Sequence, residues 1–132
     1  MGRPGVSGAA IGHAPPMVLL VGLAGMAGVV VRYWISSPFH GDALPWATIG
    51  INVAGSLLLG ILVSSHTFSD DLRTVAGVGF LGGFTTFSTF SVQAFLDIEA
   101  GEPIRALFYV AASVLLGLAA AACGYYLGRA AF

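Results

Sequence analysis

GFLGGFTTFSTFS, residues 79–91, lies inside an apolar run yet does not read as a plain apolar helix. Gly82-Gly83 is followed by Thr85, Thr86, Ser88, Thr89 and Ser91. Paired glycines disfavour helix, and clustered Ser and Thr hydroxyls can bond the carbonyls that an unwound turn releases. The pattern predicts a helix broken between Gly82 and Thr86. Unwound backbone at membrane depth is tolerated only inside protein or beside a wet cavity, and helix ends there make ion sites.

Working outward, the surrounding chain supplies the membrane. Four apolar stretches run from about 17 to 35, 44 to 65, 72 to 96 and 104 to 128. Each is long enough to cross roughly 30 Å of hydrocarbon as a helix. Only 8% of the 132 residues are charged, too few to coat a water-facing surface. The expected architecture is an all-α membrane protein of four transmembrane helices, residues 17–132, with the third helix broken mid-membrane. Residues 1–16, rich in Gly, Ala and Pro, are expected to form a mobile tail. A signal peptide with Arg3 before an apolar core at 17–31 is the competing reading of the first stretch. Arg32-Tyr33-Trp34 ends it as an interfacial anchor rather than a cleavage site.

The connections at 36–43, 66–71 and 97–103 are short, so consecutive helices are expected to be antiparallel neighbours. Ser69 is placed to cap the third helix, and Pro103 to open the fourth. Gly22, Gly25, Gly28, Gly55, Gly60, Gly124 and Gly128 mark close helix interfaces. With the N-terminus inside, Arg3, Arg73 and Arg129 fall on one side and Arg32 and Arg105 on the other. Charge bias orients membrane proteins, and three against two barely biases at all. Insertion in both orientations, as an antiparallel dual-topology homodimer, follows.

Chemistry is confined to neutral groups. Past the break, Phe87 and Phe90 share a face, while Thr86, Thr89 and Gln93 form a polar one. Thr48, Asn52 and Ser56 make a stripe at four-residue spacing in the second helix, and Tyr109 and Ser113 do so in the fourth. No Asp, Glu or Lys lies inside a predicted span. Neutral donors suit an anion that must be desolvated, and aromatic edges offer it a positive rim. No nucleophile–base pair or metal cluster points to an enzyme. The net charge of −1, without a basic patch, argues against nucleic acid. Cys123 stands alone, so no disulfide forms within the chain.

The segment GGFTTFSTFS (82–91), with GMAGVVVRY (25–33), NVAGS (52–56), Tyr109 and Ser113, resembles the CrcB/Fluc family of fluoride channels. The resemblance covers nearly all of the chain after the tail. It implies a fluoride-selective channel of the cell inner membrane that lets fluoride leave the cytoplasm passively and protects against fluoride toxicity. It also implies a dual-topology homodimer with two pores. By the same resemblance Phe87 and Phe90 line each pore with Asn52, Thr48, Ser56, Thr89, Tyr109 and Ser113. Arg32 stands in the vestibule, and carbonyls of Gly82 and Thr85 hold a structural sodium ion at the dimer interface. A heterodimer with a paralogue is a further possibility for the partner chain.

Two positions depart from the family pattern. Gln93 stands where Glu is common, and Gly117 where some members carry Ser. A small dual-topology multidrug exporter is the alternative function, but proton-coupled export needs a membrane-embedded carboxylate. A non-transporting scaffold would explain the glycines but not the joint Phe, Asn and Thr pattern.

Overall fold

The computed structural model describes residues 15–39 and 45–131. Every regular element among them is helical: α1 (Pro15–Ser36), a 3-10 turn (Ser37–Phe39), α2 (Trp46–Ser64), α3 (Asp70–Arg73), a π-helical segment (Thr74–Leu81), α4 (Gly82–Phe84), α5 (Phe87–Glu99) and α6 (Pro103–Ala131). Four stretches, Pro16–Phe39, Trp46–Ser64, Asp70–Glu99 and Pro103–Ala131, are long and apolar enough to cross a membrane. The expected tail, residues 1–16, lies outside the described residues except for Pro15 and Pro16. Those two begin α1, where a proline's missing N–H costs nothing.

Local chemistry sets the ends. Ser69 Oγ accepts from the Leu72 amide at 3.2 Å and caps α3. The Arg73 guanidinium donates to the Ser65 carbonyl, closing the α2–α3 turn. After α5, Gly101 takes a φ of 79°, and the Glu102 amide reaches back to the Asp97 carbonyl at 2.9 Å. This is the left-handed exit that glycine permits. Pro103 then opens α6.

Packing departs in part from the expectation that consecutive helices pair: the third and fourth spans do, but the first and second barely touch. The dominant partner of α2 is α6, while α1 packs against the π segment and α4. Glycines make these approaches possible. A Cβ on Gly28 would collide with the Phe80 carbonyl, and one on Gly124 with the Leu57 carbonyl. Gly22 and Gly50, by contrast, face open space. The third span changes partner at its break: its first half lies on α1, and α5 lies on α6.

The buried core is small and divided. Ile51, Leu62, Leu81 and Phe84 form one cluster, and Ile49, Phe90, Ala94 and Tyr109 the other. Large apolar side chains instead face outward, among them Val18, Met26, Leu107, Leu115 and Leu118. That inversion is expected where the surroundings are lipid rather than water. The chain is a multi-pass membrane protein.

Candidate ion pathway

The break sits at Thr85 and Thr86, both extended, with ψ of 160° and 116°. Gly82 and Gly83 are helical, so the glycine pair is not what unwinds the chain. Its role is approach: a Cβ on Gly83 would strike the Gly25 carbonyl of α1. The unwound residues are held from outside. Asn52 Nδ2 donates to the Thr86 carbonyl at 3.1 Å, and the Thr86 amide donates to Asn52 Oδ1 at 2.9 Å. Arg32 Nε donates to the Gly83 carbonyl at 3.2 Å. Thr86 Oγ1 accepts from the Thr89 amide and caps α5. A side chain from α1 and another from α2 thus satisfy backbone groups that the break exposes.

Two cavities flank this joint. The first, about 330 Å³, is lined by Asn52, Ser56, Gly82, Thr85, Thr86, Phe87, Phe90 and Ser113, with Gly55, Leu59, Gly77, Leu81 and Val114. The second, about 270 Å³, is lined by Arg32, Ser36, Thr48, Thr86, Thr89 and Gln93, with Phe39, Pro45, Ala47 and Ile51. Thr86 belongs to both, so the Asn52–Thr86 pair stands between them. Neither lining contains an Asp, Glu or Lys. Arg32 supplies its charge to the second cavity alone.

The structure therefore splits the sequence-derived residues into two groups. Asn52, Ser56, Phe87, Phe90, Ser113, Gly82 and Thr85 come together in the first cavity, and Arg32, Thr48 and Thr89 in the second. Tyr109 lines neither. It is fully buried, and its hydroxyl donates to Gln93 Oε1 at 2.9 Å. Several hydroxyls are also committed at home. Ser56 Oγ donates to the Asn52 carbonyl at 2.7 Å, and Thr85 Oγ1 to the Leu81 carbonyl at 2.9 Å. Back-bonding of this kind is the usual fate of a hydroxyl in an apolar helix. Ser113 Oγ differs: it is buried without a partner at the edge of the first cavity. One N–H of Asn52 also stays beyond its bond to Thr86.

The two phenylalanines are neighbours in unequal settings. Their ring centroids lie 5.6 Å apart with planes tilted by 48°. Phe90 is buried and meets Tyr109 edge-on at 5.2 Å, whereas Phe87 is 79% exposed. Shared helical spacing places both on one face, but only Phe90 is held in the core.

Residues 19–125 match the protein family described as CrcB-like protein, Camphor Resistance (CrcB). The chain belongs to the CrcB-like family. Every residue lining the two cavities falls within the matched range. The fluoride-specific ion channel FluC of Erythrobacter litoralis is 40% identical, the match covering 87% of this chain and 95% of that protein. A fluoride-specific ion channel of Symbiobacterium thermophilum, FluC 1, is 42% identical over 83% of this chain and 95% of its own length. That of Thermus thermophilus is 40% identical, over 85% and 93% respectively. These CrcB-like relatives are ion channels, and this chain, like them, is not an enzyme.

Gln93, which the sequence puts on a polar face with Thr86 and Thr89 but not among the pore residues, is a cavity-lining residue. It departs from the Glu common in the family, lines the second cavity and accepts from the Tyr109 hydroxyl. Its bond to Tyr109, sixteen positions away, was not legible in the sequence.

Proposed function

We propose that the protein is a fluoride-selective channel of the cell inner membrane, passing fluoride out of the cytoplasm without a coupling ion and so protecting against fluoride toxicity. The observation that carries this reading is the interrupted third span, pinned by Asn52 between two cavities that offer neutral donors and no acid. The family's fluoride-specific relatives support the choice of ion.

The chemistry follows from the linings. Arg32 draws an anion into the second cavity, and its guanidinium is held in place by the Gly83 carbonyl. At the joint the anion meets the remaining Asn52 N–H. Beyond it lie the unpartnered Ser113 hydroxyl and the edges of Phe87 and Phe90. Ring edges are weakly positive, so they accept an anion without trapping it, as conduction requires. An exporter coupled to protons lacks its central group here. The described acids, Asp70, Asp71, Asp97, Glu99 and Glu102, stand at or near helix ends, and Asp97 is paired with Arg105 at 2.6 Å.

The functional unit in this reading is an antiparallel dual-topology homodimer with two pores. The exposed ring of Phe87 supports it, because a second copy would close the first cavity beside that ring. The carbonyls of Gly82 and Thr85 fit a structural sodium ion. Side chains cap the neighbouring carbonyls of Gly83 and Thr86 but not these two, and Gly82 lies exposed on the protomer. Two oxygens are too few for a hard cation, which prefers a fuller oxygen shell; a second copy doubles them. A bound sodium would supply a fixed positive charge beside the anion path.

Expression in bacteria stripped of their own fluoride export tests the cellular role. Growth in fluoride medium should be restored by this protein. Folded, membrane-inserted protein without any rescue would contradict the proposal.

A further inference from the structure

We infer that Asn52 and Thr86 are positioning residues for the structural sodium ion: by drawing off the Thr86 and Thr89 amides, they keep the carbonyls of Gly82 and Thr85 free to face it. This inference rests on the sodium reading above.

The argument is one of diverted donors. In an unbroken α-helix each amide bonds to the carbonyl four residues back. The Thr86 amide would then go to Gly82, and the Thr89 amide to Thr85. Both are taken elsewhere. The Thr86 amide goes to Asn52 Oδ1 at 2.9 Å, and the Thr89 amide to Thr86 Oγ1 at 3.3 Å. The two carbonyls whose helical donors are drawn off are the two assigned to the ion. Three carbonyls beside them are engaged: Leu81 accepts the Thr85 amide at 3.0 Å, Gly83 accepts from Arg32 Nε, and Thr86 accepts from Asn52 Nδ2.

Both captors are themselves held in the accepting direction. Asn52 Nδ2 on the Thr86 carbonyl turns Oδ1 to the Thr86 amide. The Thr86 hydroxyl gives its only proton to Thr89 Oγ1 at 2.9 Å, so its oxygen meets the Thr89 amide with lone pairs. Without these captors the two amides would stand unpaired in an apolar setting, which is costly. Their helical acceptors are the carbonyls of Gly82 and Thr85. The helix would close and turn both oxygens back along its axis. Asn52 also lines the first cavity together with Gly82 and Thr85, so one side chain serves both the anion path and the cation site.

The experiment follows thermal unfolding of the purified full chain in detergent, with sodium titrated against N-methylglucamine at constant ionic strength. A bound ion stabilises the folded state, and the reading is the sodium concentration that gives half of that stabilisation. Asn52→Leu removes one captor at similar size. Thr86→Val removes the other while keeping its shape, and so guards against misfolding of the first variant. Each should raise the half-stabilising concentration roughly fivefold or more, the scale of one net hydrogen bond. Thr86→Ser keeps the accepting oxygen and should return the unsubstituted value. Arg32→Met cuts a different tie of the same turn, to the Gly83 carbonyl, and diverts neither amide, so it should not raise the concentration. An unshifted value in Thr86→Val or in folded Asn52→Leu, no rescue by Thr86→Ser, or an equal rise in Arg32→Met would overturn the inference. Absence of any sodium effect in the unsubstituted protein would instead overturn the sodium reading itself, and the inference with it.

Discussion

Asn52 and Thr86 are bonded to each other twice, the side-chain amide of one giving to and taking from the peptide of the other at 3.1 and 2.9 Å. The pair spans 34 positions of sequence and ties α2 to the unwound turn of the third span. It makes Asn52 both the clamp of the break and the wall between two cavities. Asn52→Asp keeps the acceptor but sets a carboxylate oxygen against the Thr86 carbonyl. It should lower thermal stability by about 1–2 kcal/mol, the upper range for a polar contact inside a membrane protein, and should abolish fluoride flux. Flux and melting temperature measured on the same preparation check this. A normally stable, normally conducting variant would leave Asn52 with neither role.

The phenylalanines should respond differently from one another. Phe87 is largely exposed, whereas Phe90 is buried in a T-shaped contact with Tyr109. Phe87→Ile should cut flux at least roughly tenfold with little loss of stability, since much of the bulk is kept and only the ring's charge distribution is lost. Phe90→Ile should cut flux as well and also cost about 1 kcal/mol through the lost aromatic pair. Paired flux and thermal-melt data separate the two effects. Stability lost in both variants with flux per folded molecule preserved would reduce both rings to packing.

Glycine substitutions should divide by what a Cβ would meet. Gly124→Ala drives a methyl into the Leu57 carbonyl across the α2–α6 contact, and Gly28→Ala into the Phe80 carbonyl. Each should cost about 1–3 kcal/mol, the usual penalty of overpacking. Gly22→Ala and Gly50→Ala meet open space and should be neutral or slightly stabilising, because alanine favours helix. Detergent thermal melts of the four variants would decide it; equal melting temperatures would contradict the packing described.

Much of the architecture could be read in advance because lipid demands long apolar runs, and four such runs are plain in the chain. The break was legible too, but its cause was not. Gly82-Gly83 looked like the helix breaker, yet both residues stay helical and the chain opens at Thr85–Thr86, where Asn52 takes up the freed peptide groups. A partner 34 positions away leaves no local trace. The π-helical turn at Thr74–Leu81 was likewise invisible, since its residues are as apolar as those of any α-helix in a membrane. The polar stripes named the right helix faces, but spacing could not tell which hydroxyls are spent. Ser56 and Thr85 bond their own helices, Tyr109 bonds Gln93, and Ser113 is left over.

Orientation in the membrane is open to a direct count. The arginines are nearly balanced between the two sides, so molecules should insert both ways. His66 is exposed in the α2–α3 connection. In a Cys123→Ser background, His66→Cys in intact cells should be labelled from outside in about half of the molecules, as balanced charge predicts. Labelling near zero or near completion would exclude an antiparallel homodimer.

The central claim is that this chain alone makes a path for fluoride and not for chloride. Liposomes containing only the purified protein, loaded with either anion at equal concentration and given a potassium ionophore to balance charge, test it most directly. Fluoride should leave quickly, because the donors and ring edges between Arg32 and Ser113 replace the hydration of a small anion. Chloride should leave no faster than from protein-free liposomes. Equal efflux of both anions, or none of either from folded protein, would contradict the account.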